Sequence, residues 1–190
     1  SSEARSGSGA LLSGGRPRRA LEAWLAKRPV KLAAEHGAWL KEGGTWTATA
    51  ELKDDWKQPL LDILIAITER TPGSLLEGKH FSLVWHYRNV TPELAYVRKA
   101  SLKHDAEKIL RDSGIELFQG NKILEFKPRG ITKGAVAKTL MGSENHDFIL
   151  AIGDDYTDED LFKALPSSAI TIKVGLNDSD ARYHVASVQQ

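Results

Sequence analysis

The stretch Phe148-Ile149-Leu150-Ala151-Ile152-Gly153-Asp154-Asp155-Tyr156-Thr157-Asp158-Glu159-Asp160 decides how the whole chain is read. Five apolar residues run into a glycine, and five carboxylates then fall within seven positions. A buried strand that delivers acids to its carboxyl end is a common way for an α/β protein to build a Mg²⁺ site. The plainer reading is a helix start. Thr157 and Asp160 have capping-box spacing, with Asp in place of Glu or Gln, and first-turn acids suit the helix dipole. That reading accounts for Asp158, Glu159 and Asp160. It leaves Asp154 and Asp155 side by side on the turn, repelling each other unless a cation or a lysine compensates. The spacing therefore favours a metal site over a bare helix start.

On either side of this stretch the pattern alternates helix and strand. Thr132 can cap a helix through Met141, the strand 148–152 follows, and a helix from Asp158 to Leu165 leads to the strand Ile170 to Val174. Helix-strand-helix-strand is the mark of a parallel sheet.

Upstream, from about Gly43, the character differs. Trp46 to Ala50 is compatible with a strand. Trp56, Leu60, Leu61, Ile63, Leu64 and Ile67 make one helical face. Ser82 to Arg88 alternates, putting Leu83, Trp85 and Tyr87 on one side and His86 and Arg88 on the other with Ser82. Pro92 to Leu110 reads as a second helix, and Ile115–Phe118 with Ile123–Phe126 as a hairpin around Gly120-Asn121. This is the pattern of an open α/β sandwich with antiparallel strands. At the amino-terminal side, Pro17 opens a short helix with Leu21, Trp24 and Leu25 in one stripe, and Val30 to Ala34 is a strand running into Glu35-His36-Gly37.

Composition sets limits. The chain has 190 residues, 26 basic against 25 acidic, and no cysteine. The charge balance gives no footprint for nucleic acid or anionic membrane, and thiol catalysis, disulfides and zinc-thiolate sites are excluded. No apolar run reaches membrane-spanning length and no secretion signal is visible, so a cytoplasmic location is expected.

The short motifs stand in a meaningful order. Ser13-Gly14-Gly15-Arg16, Ala34-Glu35-His36-Gly37-Ala38-Trp39, Arg70-Thr71-Pro72-Gly73-Ser74, Trp85-His86-Tyr87-Arg88, Gly120-Asn121-Lys122, Glu125-x-Lys127-Pro128-x-Gly130 and Lys133-Gly134 precede the acidic loop, and Ile172-Lys173-Val174-Gly175 follows it. Any one of these is weak, but as a series they resemble the trehalose-6-phosphate phosphatases, a branch of the haloacid dehalogenase-like phosphatases. The likeness is greatest to the phosphatase half of bifunctional trehalose-phosphate synthase/phosphatase proteins.

The resemblance implies a Rossmann-like parallel core with an inserted α/β cap. Residues 1–42 and 128–190 would form the core and 43–127 the cap. It implies Mg²⁺-dependent hydrolysis of trehalose 6-phosphate, a small sugar phosphate, and a covalent or physical link to a synthase domain. Asp154 matches the metal-ligand aspartate, with Asp155 and Asp158 as further ligands or orienting groups. Lys133 matches the lysine that contacts nucleophile and phosphate. An ordinary exposed lysine is the alternative, but the helix dipole disfavours a cation at a helix start, which tilts the reading towards function. Ser13 matches the phosphate-binding hydroxyl, although Ser-Gly-Gly-Arg carries one glycine more than the family's Ser-Gly-Arg, and a plain loop serine is as good a reading. Glu35 and Glu125 match sugar-contacting positions, and His86 and Arg88, on one cap face with Ser82, are further candidate substrate contacts, with a solvated sheet face as the alternative. His36 is read as a structural hinge.

One part of the family pattern has no counterpart. The nucleophile and the acid/base of such enzymes lie on an apolar strand ending in Asp-x-Asp-Gly-Thr, upstream of the serine motif. Asp-x-Asp occurs only at Asp158-Glu159-Asp160 and Asp178-Ser179-Asp180, neither in that context. In the family that strand lies between the one carrying Ser13 and the one carrying the acidic loop, so these two are expected to lack a shared neighbour. These 190 residues alone are accordingly expected to be inactive. A related sugar phosphatase, acting on sucrose phosphate or a phosphoglycerate-linked sugar, and a non-catalytic sugar- or phosphate-binding regulatory module are the alternatives.

Overall fold

A computed structural model describes residues 9–25, 27–49, 54–142 and 146–189. The chain begins with β1 (Leu11–Ser13), α1 (Arg18–Leu25), β2 (Lys31–Ala34), a tight turn at Glu35–Gly37, β3 (Trp39–Glu42) and β4 (Thr45–Ala48). It continues with α2 (Lys57–Glu69), β5 (Leu75–Gly78), β6 (Leu83–His86), α3 (Pro92–Asp112), β7 (Ile115–Gly120) and β8 (Ile123–Pro128). It closes with α4 (Lys133–Met141), β9 (Leu150–Gly153), α5 (Asp158–Ala164), β10 (Ile170–Val174) and β11 (Tyr183–Val185). Two compact units result, one from residues 1–50 with 131–190 and the other from 51–130. This is the expected mixed α/β architecture, with parallel pairing in one unit and an antiparallel sheet in the other.

The 51–130 unit is one antiparallel sheet in the order β5-β6-β8-β7, covered by α2 and α3. The apolar face read for residues 56–67 is the face that α2 buries: Trp56, Leu60, Leu64 and Ile67 are inaccessible. They meet Leu83, Trp85 and Tyr87 from the strand region, as the alternation required, together with Leu102, Leu124 and Phe126. Each such side chain contributes about 1.5–3 kcal/mol of burial, so this unit has a continuous core of its own.

The other unit is built differently. Its first sheet runs β1-β2-β3-β4, with β1 parallel to β2 and the rest antiparallel. The β3–β4 hairpin turns on Gly43 and Gly44, both at positive φ, the backbone that a two-residue hairpin turn needs. Trp46 therefore pairs into this sheet, opposite Lys41, and the boundary of the second unit falls near residue 51 rather than 43. The second sheet is parallel, in the order β11-β10-β9. Among the described residues, β1 pairs only with β2 and β9 only with β10, so both strands that carry motifs are sheet edges. Leu12 on β1 and Leu150 and Ile152 on β9 are exposed, as is Phe148 just before β9. The two apolar clusters here are small, centred on Leu21, Leu32 and Ala34 and on Ala33, Leu40 and Val136.

Candidate active site

β9 ends at Gly153, and the chain then folds back on itself. A Cβ at Gly153 would lie 2.2 Å from the Asp158 Cγ, so only glycine leaves room for that carboxylate beneath the turn. Asp158 Oδ2 accepts the N–H groups of Asp154 and Asp155, each at 3.0 Å. Its Oδ1 accepts from the Lys133 ammonium at 2.8 Å. Asp155 Oδ1 accepts the Thr157 N–H at 2.7 Å, the Thr157 hydroxyl at 2.5 Å and the Asp158 N–H at 3.2 Å. The capping box expected from Thr157 and Asp160 does not form. The Asp155 carboxylate reaches the first N–H groups of α5 instead, and the Thr157 hydroxyl becomes its donor.

Lys133 is brought here by helix packing. Thr132 caps α4 by accepting the Ala135 N–H at 3.1 Å, as its position predicted. Gly134 lets α4 lie directly on α5, where a Cβ would meet the Asp160 carbonyl oxygen at 2.3 Å. With only 5% of its side chain exposed, Lys133 is far from an ordinary surface lysine, and it also contacts Asp155 Oδ1 at 3.4 Å. Burial alone would raise the Asp155 carboxyl. The Thr157 hydroxyl, the Lys133 charge and the Thr157 N–H outweigh it and hold the group below the usual aspartate range.

One oxygen from each of Asp154, Asp155 and Asp158 lies within 4.8 Å of the others. Three carboxylates of this kind are hard oxygen donors, the chemistry that Mg²⁺ prefers. They are not equivalent, however. Both Asp158 oxygens already hold the lysine and the turn, whereas the exposed Asp154 carboxylate has no protein partner among the described residues.

The serine motif and the Glu35 turn form a second assembly in the same unit. Gly14 N–H donates to Ala33 O, His36 N–H to Gly14 O and Glu35 N–H to Arg16 O, at 3.0–3.1 Å. Glu35, His36 and Gly37 all have positive φ, 50°, 60° and 111°, which is costly for the first two. The additional glycine of Ser13-Gly14-Gly15 has a clear role here, since a Cβ at Gly15 would lie 2.5 Å from His36 Nε2. His36 thus packs on the serine loop, consistent with a structural part. Gly37 sits against the start of α4, where a Cβ would meet a Val136 methyl at 2.4 Å and the Thr132 carbonyl oxygen at 3.0 Å. Glu35 is buried, and the Ser13 hydroxyl oxygen is buried with no hydrogen-bond partner among the described residues.

In the 51–130 unit, Glu125 is 2% exposed and accepts from the Ser82 hydroxyl at 2.7 Å and from Lys79 at 3.3 Å. His86 Nε2 lies 2.8 Å from Glu77 Oε2 on the neighbouring strand. β6 ends at His86, so exposed Arg88 lies in the following turn and not on the strand face with Ser82.

Beyond a first-turn acid at Glu159, two charged residues of the larger unit take part in this arrangement. Lys173 on β10 and Glu159 on α5 are both buried and 3.2 Å apart. The signal was available in Ile172-Lys173-Val174, a lysine at an inward position of an apolar strand. Burial pulls the Glu159 carboxyl upward. The Asp180 N–H, the Ser179 hydroxyl and Lys173 prevail and keep it below the usual glutamate range.

Comparison with known proteins identifies relatives of this chain. A family model described as Trehalose-phosphatase matches residues 5–189. The bifunctional trehalose-6-phosphate synthase/phosphatase of Thermoproteus tenax is 38% identical over 172 residues, 90% of this chain and 24% of that protein. The trehalose-phosphatase of Saccharomyces cerevisiae is 33% identical over 175 residues, 80% of this chain and 20% of that protein. The chain thus spans between a fifth and a quarter of the length of these curated relatives. The solved C-terminal domain of Candida albicans trehalose-6-phosphate phosphatase superposes with a TM-score of 0.83 at 28% identity, covering 94% of this chain and 74% of that one.

Proposed function

The chain belongs to the trehalose-phosphatase family, and from that membership we propose that it supplies the phosphate- and metal-holding part of an enzyme that hydrolyses trehalose 6-phosphate to trehalose and phosphate. The observation that carries this reading is the buried Lys133 ammonium bonded to Asp158 and Asp155, beside an Asp154 carboxylate with no protein partner among the described residues. Asp154 and Asp155 hold a Mg²⁺ ion, and Asp158 keeps the turn in shape for them. When bound, the ion screens the repulsion between the phosphoryl group and the carboxylates around it. Lys133 steadies the acidic turn and presents its charge to the transferring phosphate, and the Ser13 hydroxyl donates to a phosphate oxygen. Glu35 accepts from sugar hydroxyls. On the family pattern the 51–130 unit is the cap, and Glu125, His86 and Arg88 are its candidate sugar contacts. No helix among the described residues is long and apolar enough to cross a membrane. We place the enzyme in the cytoplasm and joined to a synthase domain, the second on the name of the bifunctional Thermoproteus tenax relative.

None of this provides a nucleophile, because these residues hold no Asp-x-Asp-Gly-Thr segment. Carboxylate attack on phosphorus is the step that splits this reaction in two. The 190 residues alone should therefore release no phosphate from trehalose 6-phosphate with Mg²⁺ above a buffer control. Joined to an amino-terminal segment that carries an apolar strand and Asp-x-Asp-Gly-Thr, they should turn it over, and Asp154→Asn should then remove most of the activity. Turnover by the 190 residues at verified mass would defeat the nucleophile assignment. An unchanged Mg²⁺ dependence in the Asp154→Asn protein would defeat the metal assignment.

A further inference from the structure

Lys173 is 4% exposed, in the middle of the parallel sheet, and pairs in register with Gly153, the residue before the acidic turn. Its ammonium donates to the Asp155 carbonyl oxygen at 2.9 Å and to Glu159 Oε1 at 3.2 Å. Glu159 also accepts from the Ser179 hydroxyl at 2.9 and 3.0 Å and from the Asp180 N–H at 2.8 Å. The backbone of the turn is thus gripped from two sides. Asp158 holds its N–H groups at Asp154 and Asp155, and Lys173 holds the carbonyl at Asp155.

We infer that Lys173, held in place by Glu159, is a positioning residue that fixes the peptide between Asp155 and Tyr156 and so sets the direction of the Asp154 and Asp155 carboxylates. This rests on the reading that those two carboxylates hold a divalent cation. Partners that orient metal ligands from behind commonly matter for affinity by about ten- to a hundredfold. Electrostatics makes the opposite forecast: a buried cation beside a cation site repels the ion, so removing its charge should tighten binding. A role confined to folding makes a third, with affinity unchanged wherever the chain remains folded.

Mn²⁺ binding to the 190-residue chain, followed by the electron paramagnetic resonance signal of free Mn²⁺, separates these forecasts. The wild-type chain should bind Mn²⁺ and Asp154→Asn should lose it. Lys173→Met should weaken binding about tenfold or more. It should also shift the amide resonances of Asp155 to Asp158 in the metal-free chain. Equal or tighter binding by Lys173→Met, or unmoved resonances, overturns the inference while leaving the metal reading intact. Failure of the wild type to bind, or equal binding by Asp154→Asn, overturns the metal reading and the inference with it. Should Lys173→Met not fold, Glu159→Gln decides through the metal-free chain, where charge on the ion plays no part: shifted Asp155 to Asp158 amide resonances support the inference and unmoved ones overturn it.

Discussion

The 51–130 unit and the larger unit solve the problem of burial in opposite ways. The first closes one four-stranded sheet with two helices over a single apolar cluster that contains Trp85, Leu102 and Phe126. The second divides into two sheets whose motif-bearing strands, β1 and β9, are both edges among the described residues, with Leu150 and Ile152 exposed. It also buries more charge: Glu35, Lys133, Asp158, Glu159 and Lys173 are all nearly inaccessible, against Glu125 and Lys127 in the 51–130 unit. Buried ions add little net stability even when well paired, because desolvation offsets their attraction. The 51–130 unit is therefore expected to be self-supporting, and the larger unit to give up stability for the proposed metal and phosphate site.

The largest expected effect lies in the self-supporting unit. Phe126→Ala removes a fully buried ring from its centre and should cost about 3–5 kcal/mol. Denaturant titration read from amide resonances should show that loss in 51–130, with the larger unit much less affected. Equal loss in both units would mean that they do not unfold separately and would dissolve the contrast.

A smaller effect should appear at the contact that delivers Lys133. In Gly134→Ala the new methyl meets the Asp160 carbonyl oxygen and Ala164 Cβ, at 2.3 and 2.8 Å, so α4 must move off α5. A destabilisation of about 1–3 kcal/mol is expected, against the usual gain from replacing glycine in a helix. A stabilised variant would show that the close approach of the two helices is not needed.

The smallest effect concerns acid. Asp155 and Glu159 both have carboxyls held below their ordinary values. Such groups contribute stability that is present above the unfolded-state values, about 4, and is lost as pH falls through the lower folded-state values. Acid titration should therefore loosen the acidic turn, α5 and the Ser179–Asp180 segment before the core of 51–130. Simultaneous loss in both units would argue that these carboxylates are not what acid attacks first.

Much of this could be read in the residues themselves. The long apolar faces of α2 and α3, the alternation around Trp85 and the run from Phe148 into the carboxylates each carry enough residues for periodicity to show. β5 and β11 do not. Tyr183-His184-Val185 is a strand only because β10 lies beside it, and Leu75-Leu76-Glu77-Gly78 has no alternation. The β3–β4 hairpin had a clear turn signal at Gly43-Gly44, but its sheet partner β2 is a tertiary choice. That Lys133 and the three aspartates would lie together was legible, and which oxygen each N–H finds was not. Asp155 lies two residues before Thr157 and competes for the same N–H groups, so spacing alone could not tell which oxygen caps α5. Lys173 was visible as a charge within an apolar strand, but its partners are 14 and 18 residues away.

Hydrogen exchange on the isolated 190-residue chain tests the contrast between the two units most directly. The amides of β6 and β8, paired within a complete sheet over a closed core, should be the slowest to exchange. Those of β9, paired only with β10 among the described residues and carrying exposed Leu150 and Ile152, should exchange well ahead of them. Strong protection of β9 equal to that of β6 and β8, together with a single sharp unfolding transition, would contradict the account, because the larger unit would then be as self-supporting as the smaller one.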